Sequence, residues 1–162
     1  MSARSTVLLG LLLALLCVSI AAAATGFGRD GQDRSPRLAT ADAYAAIRPD
    51  MAQERIDLEF LLLHARLDTN AELGEQLAAL ADRSDEQAAA LAAIEPPSSI
   101  AGLVTVLQRA VAEQAASLRQ LARDARERGP DAVRAAQPAL SVQAERIRDA
   151  RRRLETSFLI GS

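Results

Sequence analysis

The sequence predicts an all-α protein: an elongated antiparallel bundle of three long helices, or of four if the first breaks near residues 68–74, behind an N-terminal hydrophobic signal or anchor helix. Three observations predict it. Apolar residues recur in alternating steps of four and three over most of the chain after residue 50, which gathers them on one stripe of each helix. Two breaks marked by proline and glycine divide that pattern into segments. The composition is rich in Ala and Leu yet only 2% aromatic, with no Trp, and strands favour the β-branched and aromatic residues that are scarce here.

The first element is the apolar run from Val7 to Leu16, extended by Cys17 to Ala24 and preceded by Arg4. A basic n-region, an apolar stretch and a small-residue exit form the pattern of a secretory signal peptide over residues 1–24, with Ala22 and Ala24 meeting the small-x-small rule for cleavage. Residues 7–24 are also long enough for an uncleaved membrane anchor. Acylation of Cys17 is disfavoured because Leu16, not a small residue, precedes it. Either of the first two readings places the remainder outside the cytoplasm, secreted or in the cell envelope. Beyond Cys17 there is no cysteine, so that remainder forms no disulfide and no thiolate metal site.

Residues 25–40 open with Thr25-Gly26-Phe27-Gly28-Arg29-Asp30-Gly31, the composition of a flexible linker. The bundle domain is expected over residues 41–162, with one or two loose turns at Ala41 to Ile47 before Pro49, since proline is poorly tolerated inside a helix. From Pro49 to Asp68 a helical pattern runs through Met51, Leu58, Leu62 and Ala65. It does not join smoothly with the next series. Thr69 followed by Glu72 fits a capping box and favours a break; the lack of Gly or Pro between Asp68 and Glu72 favours one long helix, kinked near residues 68–74, and that is the expectation adopted.

The next helix carries Leu73, Leu77, Leu80, Ser84, Gln87, Leu91 and Ile94, and ends at Pro96-Pro97, after which a serine is placed to cap its successor. That successor carries Ile100, Val104, Leu107, Val111, Gln114, Leu118, Leu121 and Ala125. Gly129-Pro130 then gives a tight reversal, glycine closing one helix and proline opening another. The last series is Val133, Gln137, Leu140, Ala144, Ile147, Arg151, Leu154 and Phe158, with Pro138 expected to kink it or to divide it in two. The apolar end, Phe158 to Ile160, either closes the bundle or protrudes.

Chemistry is conspicuous by what the residues do not supply. One histidine, His64, rules out the paired Glu-x-x-His units of a di-iron bundle within one chain; a pairing with Asp68 one turn on is its expected role. No Gly-x-Ser-x-Gly elbow and no phosphate-binding glycine loop are present. The expectation is therefore a non-enzyme without metal or cofactor. The chain is net acidic and poor in aromatic stacking platforms, which argues against nucleic acid.

Charge is uneven along the chain. Residues 38–100 carry four Arg against twelve acids, whereas residues 101–162 carry eleven Arg against seven, so the two halves attract. The simple consequence is an acidic part of the bundle packed on a basic part. The alternative is that Arg146, Arg148, Arg151, Arg152 and Arg153 form a patch for an anionic partner.

The stretch Leu91-Ala92-Ala93-Ile94-Glu95-Pro96-Pro97, followed by a long Ala/Arg/Gln helix and a Gly-Pro reversal, resembles a loose group of secreted, Ala/Arg-rich helical proteins of high-GC bacteria, uncharacterised and without an assigned activity. The resemblance spans about residues 70–160 and implies fold and compartment but no site. The resulting expectation is a helical module for protein–protein interaction, scaffolding or self-association, or alternatively an envelope protein that lies on a membrane surface through amphipathic or Arg-rich helix faces.

Overall fold

The computed structural model describes residues 36–159, so the signal or anchor segment, most of the linker and the last three residues lie outside it. Four helices fill the described chain and no strand occurs in it: α1 (Pro36–His64), α2 (Asn70–Ala92), α3 (Ser98–Arg128) and α4 (Pro130–Leu159). None of the four is long and apolar enough to cross a membrane.

α1 begins earlier than composition suggests. Pro36 stands at the first helical position, where its missing N–H costs nothing, and residues 36–40 are helical rather than linker. The helix also continues through Pro49. Pro49 and Ala45, whose carbonyl loses its partner, are both exposed, so water reaches the unsatisfied oxygen. Pro138 repeats the arrangement inside α4, with Arg134 exposed four residues before it, and α4 runs on as one helix.

The expected single helix across residues 68–74 is instead two. α1 stops at His64, a turn closed by the Leu67 amide donating to the His64 carbonyl at 2.8 Å follows, and α2 opens on Thr69. The capping box is complete: the Glu72 amide donates to Thr69 Oγ1 at 3.3 Å while the Thr69 amide donates to Glu72 Oε2 at 2.9 Å. Reversal needs no glycine because the connection uses residues 65–69, starting well before the window in which a break was sought.

The other two reversals follow the proline and glycine signals. Pro97, in extended conformation, is the N-cap of α3, and its carbonyl accepts from Ile100 and Ala101. No serine caps this helix; Ser99 Oγ accepts from Arg37 of α1 at 3.3 Å. A single residue, Gly129, joins α3 to α4. Its φ of 57° lies where side chains are strained, and a Cβ there would overlap the Asn70 amide.

Sequential helices run antiparallel, and α4 closes the ring against α1, as the Tyr44–Glu155 hydrogen bond at one end and the packing of Leu58 with Leu140 at the other require. The α2–α3 seam is the most extensive and the α1–α4 seam the least. Every position of the α2 and α3 series is buried except Ile94 and Gln114, which are half-buried. Gly74 brings these two helices close: a Cβ on it would overlap the Arg126 side chain and stand 3.1 Å from the Ala122 carbonyl oxygen.

The core falls into two clusters. One holds Leu58, Leu61, Leu73, Leu77, Leu118, Leu121 and Leu140; the other holds Tyr44, Met51, Leu91, Val104, Leu107 and Leu154. Between them lies a layer of polar side chains.

Candidate functional site

The buried positions of α1 are Thr40, Tyr44, Met51, Glu54, Leu58 and Leu61, continued by Ala65 in the turn that follows. With Ile47 they form an unbroken three-four series, and Glu54 occupies one of its inward places. The polar members of the other series stand at the same depth: Ser84 and Gln87 on α2 and Gln114 on α3, with Gln143 joining from α4. Antiparallel packing brings these residues to one level.

Glu54 is only 3% exposed. Its Oε1 accepts from Ser84 Oγ at 2.5 Å and from Gln114 Nε2 at 3.0 Å, whereas its Oε2 accepts nothing. Gln143 donates through Nε2 to Ser117 Oγ at 2.6 Å and leaves its own Oε1 without a donor. Two shielded acceptors thus stand unsatisfied, and such groups are costly in a protein interior. Burial raises the Glu54 carboxyl above its ordinary range; the Ser84 hydrogen bond and the Arg83 charge oppose this, Gln87 adds a smaller opposing pull, and Asp57 reinforces the rise.

Above this layer the α1–α4 seam opens into a cavity of about 480 Å³. Met51 and Leu58 of α1, Val111 of α3 and Leu140 and Ile147 of α4 give it apolar walls, and Glu54, Gln87, Gln114 and Gln143 also line it. Four arginines line it too, and each has a carboxylate neighbour: Arg55 with Glu59 at 3.2 Å, Arg148 with Glu145, Arg151 with Glu155 at 3.7 Å and Arg152 with Asp149 at 2.8 Å. At one end Tyr44 donates to Glu155 at 2.9 Å and accepts from Arg151 Nε at 3.3 Å. Burial raises the Tyr44 phenol and the Arg151 bond draws it back.

The five arginines singled out in the sequence do not form one patch. Arg148, Arg151 and Arg152 line the α1–α4 cavity, whereas Arg146 and Arg153 lie against Arg109 and Glu113 in a shallow groove between α3 and α4. The helical repeat separates them, since 146 and 153 are two turns apart on one face and 148, 151 and 152 occupy the next. The wider charge asymmetry does match the packing, because the acidic helices α1 and α2 meet the basic helices α3 and α4 along two seams. Arg119 of α3 pairs with Asp85 of α2 across one of them.

His64 is not paired with Asp68. Its Nδ1 lies 2.8 Å from the Phe60 carbonyl oxygen and its ring stacks on the Phe60 ring at 4.1 Å between centroids. Phe60 also belongs to an apolar stripe on the surface of the molecule. Ile56, Phe60, Leu63 and Leu67 are 51%, 62%, 80% and 80% exposed, and their four-three-four spacing aligns them along the outer face of α1 and its terminal turn. At the far end of the molecule Phe158 is half-buried against Tyr44, and Leu159 is exposed. No group of three or more potential metal ligands occurs among the described residues.

Compared with protein families, with curated proteins and with solved structures, the chain matches none.

Proposed function

We propose that this chain is a non-enzymatic, extracytoplasmic helical-bundle module that associates with a second copy of itself through the outer face of α1. The observation that supports this reading is the exposed stripe Ile56, Phe60, Leu63 and Leu67. Its spacing is that of a coiled-coil seam, and a run of large apolar residues in contact with water marks an interaction surface.

Charge selects the occupant. In an antiparallel pairing of two α1 helices that sets Phe60 opposite Leu63 and Ile56 opposite Leu67, the flanking residue Glu59 of each copy faces Arg66 of the other. The twofold axis makes this favourable pair occur twice, and a self-complementary patch is what a twofold interface demands. A stripe of four residues supports a weak, reversible dimer. The extracytoplasmic part of the proposal rests on Arg4, the apolar run Val7 to Leu16 and the small residues Ala22 and Ala24.

The alternative, an envelope protein held to a membrane surface by its Arg-rich face, draws less support. Three of the five arginines on which it depends stand beside carboxylates, and the five divide between two grooves.

Sedimentation of the full chain across a range of concentrations tests the pairing. The expected result is a monomer–dimer equilibrium weakened by Glu59→Arg and by Arg66→Glu separately and restored when both are present. Both residues are exposed, so neither change threatens the fold. A mass insensitive to these charges overturns the proposal, whether the stripe then serves a membrane surface or a different protein.

A further inference from the structure

We infer that the cavity between α1 and α4 is a binding site for a small amphiphile with a primary ammonium head and an apolar tail, the head held by Glu54 and Gln143. Three observations converge on this chemistry. The first is what the cavity floor lacks. Glu54 Oε2 and Gln143 Oε1 are both acceptors and both without a donor, and both residues line the cavity, so a group that completes either of them must be a donor. An ammonium carries three donors and no acceptor.

The second is charge. Each arginine of the lining has its own carboxylate, which leaves the lining close to neutral, whereas Glu54 takes its hydrogen bonds from the neutral side chains of Ser84 and Gln114, and the one cation that acts on it, Arg83, is bonded to Asp57. A buried carboxylate with no cation bonded to it is costly, and an incoming ammonium both neutralises it and forms charge-assisted hydrogen bonds. An anionic ligand would instead add a second negative charge above Glu54.

The third is the form of the cavity. A volume of about 480 Å³ lies within the range of small-molecule pockets, which are mostly apolar with a few placed polar groups. Here the polar groups lie in one layer and the walls on either side are Met51, Leu58, Leu140 and Ile147. Such a site orients a linear molecule with its head at the layer and its tail along the seam. This cavity and the exposed stripe occupy different faces of α1, so the ligand proposal stands or falls independently of self-association.

Calorimetric titration of the full chain at pH 7 with octylammonium, and separately with octanoate of equal length, tests the assignment. Saturable binding of octylammonium at one site is expected, with octanoate bound at least about tenfold more weakly. Glu54→Gln keeps the shape of the side chain and removes the charge, and is expected to weaken octylammonium at least about tenfold. Circular dichroism of this variant, with helix content and melting no lower than the native protein's, shows that the loss is not unfolding. Gln143→Leu serves as the second variant, with a smaller loss expected. Equal affinity for the two probes, no saturable binding of either, or octylammonium binding unchanged in Glu54→Gln would each overturn the inference.

Discussion

The two seams that involve neighbouring halves of the bundle are built on opposite plans. Where α2 meets α3, leucine and isoleucine side chains are shut from water, a glycine lets the backbones approach, and acid faces base across the rim. Where α1 meets α4, contact is sparse, the wall is interrupted by a cavity, and the interior side chains include a carboxylate and an amide with unfilled acceptors. Interiors are ordinarily packed to crystal-like density with their polar atoms satisfied. The contrast teaches that one seam carries stability and the other carries capacity for a ligand.

The largest test of this contrast is a pair of truncations. Leu107→Ala, at a fully buried position, is expected to lower the free energy of unfolding by about 2–5 kcal/mol. Ile147→Ala, on the cavity wall and only half-buried, is expected to cost about 1 kcal/mol. Equal losses in urea denaturation would erase the distinction between the seams.

A smaller effect sharpens the same point at the close approach. Gly74→Ala inserts a methyl where the Ala122 carbonyl oxygen leaves 3.1 Å, and overpacking of this kind costs about 1–3 kcal/mol. Part of the strain is relieved because the Arg126 side chain is able to swing aside. Gly102 has no atom within 4 Å of such a Cβ, so Gly102→Ala is expected to be neutral or stabilising. Thermal denaturation of the two variants reads the difference.

The smallest effect, and the most informative, concerns Glu54. Folding raises its carboxyl above the ordinary 4.5, so the folded state binds the proton more tightly than the unfolded state does. The stabilising contribution of this group is therefore complete below pH 4.5 and is lost as pH rises through the folded-state midpoint. Arg83 and Asp57 are the charged groups that act on it; α3 and α4 present the amides of Gln114 and Gln143. Glu54→Gln is expected to be more stable than the native protein at pH 7, by roughly 1 kcal/mol, with the gap closing as pH falls toward 4. A variant that is less stable at pH 7, or a gap that widens in acid, would contradict this reading.

The sequence showed α2 and α3 well, because their inward residues recur without competing phases and the breaks at Pro96-Pro97 and Gly129-Pro130 are strong. α1 was harder to read for a physical reason. Phe60-Leu61-Leu62-Leu63 is a run of four apolar residues that offers several helical phases at once; the spacing points Leu62 inward, whereas the structure buries Leu61. A carboxylate at position 54 carries no apolar signal, so the pattern passes from Met51 to Leu58 without it. The same misphasing concealed the outer stripe, since Phe60 and Leu63 were available to be counted as core. The signal that identifies Glu54 was present in the polar members Ser84, Gln87 and Gln114 of the neighbouring series, but it becomes readable only once the helices are set in register. Neither proline ends its helix, for a related reason: the carbonyl that each strands, at Ala45 and at Arg134, is exposed to water, and that exposure is a tertiary property.

The claim on which the account turns is that the α1–α4 seam encloses a carboxyl group held short of its hydrogen-bond complement. Carbon-13 NMR titration of the Glu54 side chain in the full chain measures this directly. The expected midpoint is above 4.5 in the protein without added ligand. A midpoint at or below that value would mean that the carboxylate is already satisfied, and would contradict it.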